Sequence, residues 1–173
     1  ESAAGAAAPS VAASAGSYAW TVPGTASTQC LVRVSDATNA AITDTSNAVF
    51  TIIGTVTVTA PNGGESWTAG TPKNITWTYS GVTNVKLDYT TNNGTSWTQI
   101  VASTAASAGT YAWTVPNENS SQCLVRVSDA SNASVSDVSN AVFTIIPVTV
   151  TVTSPNGGER WVSGKTYAIT WTQ

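Results

Sequence analysis

The chain has 173 residues, with six Lys or Arg, nine Asp or Glu and no His, and its net charge is −3. Only 9% of the residues are charged, against about 25% in ordinary globular proteins, while 42% are hydrophobic. This composition argues against a disordered chain, and the lack of a basic cluster argues against nucleic acid as a partner. No apolar run approaches the roughly 20 residues of a membrane-spanning helix, so we expect no membrane insertion.

The sequence repeats itself at a spacing of about 93 residues. Residues 16–53 return as residues 109–146, and 28 of these 38 aligned positions are identical. The opening of the unit also returns, at a spacing of 94, and we expect the sequence to be an excerpt of a longer repetitive chain. We predict the C-terminal part of one repeat in residues 1–53, a complete repeat in residues 54–146, and the N-terminal part of the next repeat in residues 147–173.

Within the complete repeat, hydrophobic and polar residues alternate, which is the pattern of strands buried on one face. Asn93-Gly94 predicts a type I′ hairpin, because both of its central positions need a positive φ. Seven or eight short strands in about 93 residues favour a two-sheet antiparallel sandwich, with a barrel as the alternative. The alternating segments are, in chain order, residues 56–59, 74–79, 85–90, 111–115, 123–128 and 143–145.

The joins between repeats are short. Only two residues separate Ile53 from Val56, and only Pro147 separates Ile146 from Val148. Short connections restrict hinge motion, so we expect successive repeats to form a stiff rod. Residues 1–10 differ from their counterparts and five of the ten are Ala, so this stretch is either a divergent or a poorly identified part of the first repeat.

The order of the motifs resembles that of a known family. Residues 154–161 and 169–172 resemble the start of the Kre/Knh-type, Ser-Thr-rich immunoglobulin-like domain of fungal cell walls, whose relatives occur in tandem in large secreted bacterial proteins. Its later motifs are similar to residues 109–116, 123–129 and 141–145. The resemblance implies an all-β fold of tandem immunoglobulin-like antiparallel β-sandwich repeats, located outside the cell or at the cell surface. It implies no catalytic residue.

The residue types present limit the chemistry. Without His the chain has no His-based catalytic triad, no His general acid or base and no His-ligated catalytic zinc, so we expect neither an enzyme nor a cofactor. Asp129 and Asp137 recur as Asp36 and Asp44, and could flank a calcium-binding loop. Calcium needs six to eight oxygen ligands and no Asp-x-Asp-x-Asp spacing is present, so solvated turn caps are the favoured interpretation.

Cys30 and Cys123 occupy equivalent places in successive repeats, so one repeat cannot form its own disulfide. Cys123 shares a face with Val125 and Val127, which favours a buried free thiol. The alternative is an interchain thiol that forms a disulfide within a fibre.

Four tryptophans of the complete repeat suggest a carbohydrate-binding alternative, because sugars stack on exposed indole rings. Trp77 and Trp113 lie in core-facing registers, whereas Trp67 and Trp97 lie near turns and are the candidate sugar platform. This alternative requires Trp67 and Trp97 to be exposed and aligned.

The sequence therefore favours a non-enzymatic structural repeat unit of an extracellular fibre, filament or cell-surface stalk or adhesin. Its expected partners are neighbouring repeats or copies of the same chain. The edge strand at residues 56–59 is a candidate for pairing with another chain. The alternative function is a polysaccharide-binding accessory module of a secreted multidomain protein.

Overall fold

The computed structural model describes residues 10–173, so almost all of the divergent segment 1–10 lies outside the described residues. The described chain is nearly all β, with two short 3₁₀ helices at Ala13–Ala15 and Ala106–Ala108. The strands before residue 54 are β1 (Ser27–Cys30), β2 (Arg33–Ser35), β3 (Thr43–Thr45) and β4 (Phe50–Ile52). Residues 54–146 contain β5 (Thr55–Ala60), β6 (Ser66–Thr68), β7 (Pro72–Ser80), β8 (Asn84–Thr90), β9 (Thr98–Ala105), β10 (Thr110–Thr114), β11 (Ser120–Asp129), β12 (Ser136–Val138) and β13 (Phe143–Ile146). They are followed by β14 (Thr151–Ser154) and β15 (Thr170–Thr172).

The strands of residues 54–146 form two sheets. One sheet has three strands in the order β10-β7-β5, and the other has the order β6-β13-β11-β8-β9, with β12 paired to β11. β6 pairs with β13 in parallel, and the other pairs are antiparallel. The predicted all-β class with antiparallel sheets is confirmed, although nine strands are present where seven or eight were predicted. The additional strands include the three-residue β6 and β12, which are too short to show alternation.

Both sheets contribute to a single hydrophobic core. Val58 and Trp77 of the three-stranded sheet lie in the same buried cluster as Leu87, Val125 and Phe143 of the larger sheet. Alternate residues of β5 are buried, as the period of two predicted. In β8 the alternation holds for Val85 and Leu87, but Asp88 and Thr90, predicted to face solvent, are buried as well. The indole N–H of Trp77 donates a 2.9 Å hydrogen bond to the carbonyl oxygen of Ala106, so this buried polar group is paired.

The β8–β9 hairpin has the predicted backbone conformation. Asn93 has φ 53° and Gly94 has φ 85°, so both positions lie in the left-handed region that favours Asn and Gly. The Asn92 side chain holds the loop, because its Oδ1 accepts hydrogen bonds from the Thr90 hydroxyl and from the Ser96 backbone N–H. The turn is therefore stabilised by residues adjacent in sequence.

Identical residues have opposite burial inside and outside residues 54–146. Trp20 is 43% exposed, whereas its equivalent Trp113 is 7% exposed. Val34 is 71% exposed, whereas Val127 is fully buried. Within residues 54–146, strands such as β5, β7 and β8 complete the two sheets. Residues 10–53 contain only the pairs β1-β4 and β2-β3, so in the described part of the chain the inward faces of these four strands are exposed.

Candidate functional site

Trp67 lies in the core. It is 8% exposed, and its ring lies 5.0 Å from the ring of Phe143 and 6.1 Å from the ring of Trp113. The parallel pairing of β6 with β13 places Trp67 opposite Ile145, which is fully buried, and so directs the indole inward. This corrects the expectation that Trp67 is exposed, since a buried ring cannot stack against a sugar.

Trp97 lies on the opposite side of the larger sheet, where it is half-buried. The guanidinium carbon of Arg126 lies 4.4 Å from the centre of the Trp97 ring, a cation–π contact. Arg126 stands between Val125 and Val127, which face the core, so it projects from the outer face together with Trp97. Trp67 and Trp97 therefore do not form one aligned platform.

A charged cluster surrounds Asp88 on this outer face. Asp88 Oδ2 lies 2.9 Å from Arg126 Nη2, and Oδ1 lies 3.0 Å from Lys86 Nζ. Asp88 is only 2% exposed, and its carboxylate is paired with the long cationic side chains of both Lys86 and Arg126. The register that pairs Arg126 with Asp88 across β11 and β8 creates the cluster. Alternation along β8 and β11 assigns Lys86, Asp88 and Arg126 to the solvent-facing side of each strand, but it does not indicate that the two strands are neighbours.

Beside this cluster lies a surface depression of about 320 Å³, which Lys86, Asp88, Arg126 and Asp129 help to line. Asp129 Oδ1 accepts hydrogen bonds from the backbone N–H and hydroxyl of Ser131, at 2.8 and 2.7 Å. Asp129 thus caps a turn, as the favoured interpretation expected. Within residues 10–173, no three His, Cys, Asp or Glu side chains are grouped as metal ligands.

Asp137 has a different role from Asp129. Its Oδ2 accepts a 2.8 Å hydrogen bond from the backbone N–H of Val58 on β5. β5 is an edge of the three-stranded sheet, but this carboxylate occupies an outward N–H that an added strand would need. The bond occupies one N–H of the edge at residues 56–59 that was expected to be open, and it corrects the assignment of Asp137 as a turn cap. Asp137 instead connects β12 to the edge of the other sheet.

Cys123 is a buried free thiol. It is fully buried, and its Sγ donates a hydrogen bond of 3.5 Å to the carbonyl oxygen of Ser120. Burial raises the pKa of the Cys123 thiol, which disfavours the reactive thiolate. Cys30 makes the equivalent contact with Ser27 at 3.6 Å and is partly exposed. The geometry around Cys123 suits packing rather than an interchain disulfide.

We expect Cys123 to resist thiol reagents in the folded chain. In a Cys30→Ser variant, an aromatic disulfide reagent should label Cys123 only as fast as the protein opens, because the native thiol is both buried and protonated. Labelling should become complete within seconds in denaturant. Rapid labelling without denaturant, or a disulfide-linked dimer under mild oxidation, would contradict this placement.

Glu65 closes the loop that precedes β6. Its Oε1 accepts a 2.8 Å hydrogen bond from the Asn62 N–H, and its Oε2 accepts one of 2.9 Å from the Gly63 N–H. Burial alone would raise the pKa of the Glu65 carboxyl, but the backbone N–H donors outweigh it and hold the pKa below its usual range. Glu159 makes the same two contacts with Asn156 and Gly157, so the loop is a repeated feature.

We expect Glu65 to contribute pH-dependent stability. A carboxyl whose pKa is lowered by folding stabilises the native state above its unfolded pKa, and loses that contribution as pH falls through the folded pKa. Glu65→Gln should therefore lower the free energy of unfolding by about 1 kcal/mol at pH 7, and the difference from wild type should shrink below about pH 4.5. Urea titrations at several pH values measure this, with exposed Glu118→Gln as the control. An unchanged difference at low pH would contradict it.

The backbone of the preceding repeat meets residues 54–146 at three glycines. A Cβ placed on Gly81, which has φ +65°, would lie 2.7 Å from the carbonyl oxygen of Gly24. A Cβ on Gly54 would lie 2.8 Å from the carbonyl oxygen of Ser80. No side chain fits at Gly54 or Gly81 without a shift of the backbone, so the two repeats are in direct main-chain contact. We call this contact of Gly24, Gly54 and Gly81 the glycine joint.

The next joint along the chain is built differently. Asn117 takes the place that Gly24 has in the preceding repeat, and its Oδ1 accepts a 3.2 Å hydrogen bond from the backbone N–H of Val148. A side-chain hydrogen bond therefore connects residues 54–146 to the following repeat, whereas main-chain packing connects them to the preceding repeat. Both joints lie at the short connections that the sequence indicated.

No protein-family model matches this chain, and no curated protein matches it. Among the residues that the structure describes, none of the helices has the length and apolar character required to cross a membrane.

Proposed function

We propose that this chain is a non-enzymatic structural segment of an extracellular fibre, filament or cell-surface stalk, built from tandem immunoglobulin-like β-sandwich repeats. The observation that carries the proposal is the glycine joint, in which Gly81 packs against the backbone of Gly24 with no room for a side chain. A flexible linker between independent modules has no need of such a fit. A rod that transmits its shape from one repeat to the next needs fixed contacts at its joints, and this packing supplies one.

The sequence repeat supports the same proposal. The units are near-identical in sequence, although their two joints differ in detail, and a head-to-tail arrangement that does not close on itself produces a filament. Two sheets that share one core in residues 54–146 are what an immunoglobulin-like sandwich requires. We therefore propose that the unit is a domain of the Kre/Knh-type immunoglobulin-like family.

The carbohydrate-binding alternative has less support. It required Trp67 and Trp97 to be exposed on one face, whereas Trp67 packs in the core and Trp97 stacks on Arg126 at the outer face. A polysaccharide partner would have to bind elsewhere on the repeat.

Electron cryomicroscopy of the native material at the cell surface tests the structural proposal. The ten-residue β11 spans about 33 Å, so we expect ordered filaments with an axial period of roughly 40 Å per repeat. The density of each period should fit residues 54–146. Flexible strings of separate beads, with no constant angle between neighbours, would contradict the proposal.

A further inference from the structure

The outer side of the three-stranded sheet carries short hydroxyl side chains. Residues on β5, β7 and β10 that alternate with the core residues point to this side. The cross-strand pairs Thr57 with Thr78 and Thr110 with Thr76 place their side chains next to one another. We call this surface the hydroxyl face, and its members are Thr55, Thr57, Thr59, Thr76, Thr78 and Thr110.

The hydroxyl face recurs in the following repeat. Thr59 Oγ1 and Thr76 Oγ1 lie 2.7 Å apart, and their equivalents Thr153 Oγ1 and Thr170 Oγ1 also lie 2.7 Å apart. The same spacing in two repeats shows that the arrangement follows from the sequence and the strand pairing. It is therefore a regular feature of the array.

The two outer faces of the unit differ in charge. The larger sheet presents Lys86, Asp88 and Arg126, whereas the outward positions of β5, β7 and β10 hold no ionisable side chain. Soluble proteins normally place charges on about 25–35% of their surface, partly because charge prevents unwanted association of sheets. An uncharged sheet face on a chain of net charge −3 is where two copies meet with least repulsion.

We propose that the hydroxyl face is the surface on which a second copy of this chain packs side by side in the fibre, an inference that rests on the proposed function. A threonine hydroxyl both donates and accepts a hydrogen bond, so the face is complementary to itself and suits a symmetric contact. Threonine is short and stiff at χ1, so ordering it costs little conformational entropy. Two such faces can approach as closely as stacked sheets, about 10 Å apart.

The area of the face sets the strength of the contact. The strands β5, β7 and β10 have six, nine and five residues and lie about 4.8 Å apart, so the face covers about 300 Å² per unit. A stable interface buries about 800 Å² per partner, so one unit holds weakly and roughly three consecutive units are needed. The contact is therefore transient between 173-residue chains and cumulative along an array.

Disulfide trapping of the full chain tests this contact. In a Cys30→Ser background, Thr78→Cys reports on the hydroxyl face, and exposed Gln99→Cys on β9 is the matched control on the other sheet. At millimolar protein under mild oxidation, Thr78→Cys should form dimer at least about tenfold faster than Gln99→Cys, as expected for a preference of about 1.4 kcal/mol. Adding Thr57→Lys beside Thr78 should remove the excess, since two facing ammonium groups repel.

Equal dimerisation rates for Thr78→Cys and Gln99→Cys would overturn the proposal. Mass spectrometry of the native material gives a second outcome: sugars attached to Thr55, Thr57 or Thr78 would mean that glycan, not protein, covers the face. Electron cryomicroscopy separates the two proposals. Ordered filaments that meet laterally through other surfaces would contradict only the proposed packing through the hydroxyl face. Absence of ordered filaments would contradict the proposed function.

Discussion

Replacing Trp67 with alanine is expected to lower the free energy of unfolding by about 3–5 kcal/mol, as truncation of a buried aromatic side chain does. Trp67 packs against Phe143 and Trp113, so the substitution leaves a cavity between these two rings in the core. Urea denaturation followed by Trp fluorescence or circular dichroism measures the change. The result separates a core residue from a sugar platform, because an exposed platform would lose binding with almost no loss of stability.

Trp97→Ala is the matched control for Trp67→Ala. Trp97 is half-buried and its main contact is the cation–π interaction with Arg126, so its loss should cost about 1 kcal/mol. A Trp97 variant destabilised as much as the Trp67 variant would contradict the placement of the two rings on opposite sides of the larger sheet. Retention of wild-type protein, but of neither variant, on an insoluble polysaccharide would restore the carbohydrate-binding alternative.

Gly54→Ala is expected to loosen the glycine joint. The added Cβ would lie 2.7 Å from Val82 Cγ2, 2.8 Å from the Ser80 carbonyl oxygen and 2.9 Å from the Gly81 carbonyl oxygen. Overpacking of this kind costs about 1–3 kcal/mol, and the loop at residues 80–82 must shift to accommodate it. Because Gly81 holds Gly24 across the joint, the preceding repeat should then change its angle and gain freedom. Small-angle X-ray scattering of the full chain should show a broader distance distribution.

Gly24→Ala is the control for the glycine joint. Its Cβ would meet only the Ser80 hydroxyl, at 2.9 Å, and that side chain can rotate away. The scattering profile of Gly24→Ala should stay close to wild type. If Gly54→Ala also leaves the profile unchanged, main-chain packing does not set the angle between repeats, and the stiff-rod element of the proposed function loses its support.

Local patterns in the sequence predicted many elements of the repeat. Alternation along residues 56–59, 85–90 and 123–128 correctly indicated the apolar side chains that face the core, because a strand directs successive residues to opposite sides. It did not indicate that Asp88, Thr90 and Ser128 on the other side are buried as well. The Asn93-Gly94 turn was predictable because positive φ is favourable in few residue types. These features depend only on neighbours in the chain.

Strand pairing determined the rest. The parallel pairing of β6 with β13 buries Trp67, and the register of β8 with β11 places Asp88 beside Arg126. The hydrogen bond from the Val58 N–H to the Asp137 carboxylate joins residues 79 positions apart, so alternation along either strand does not predict it. A period of two assigns each side chain to a face but does not indicate which strand lies beside it. The all-β class, the repeat and the inward-facing apolar residues can all be predicted from local sequence patterns. The burial of Trp67, the Asp137 contact at the β5 edge and the contacts between successive repeats cannot, because they depend on segments distant in the chain.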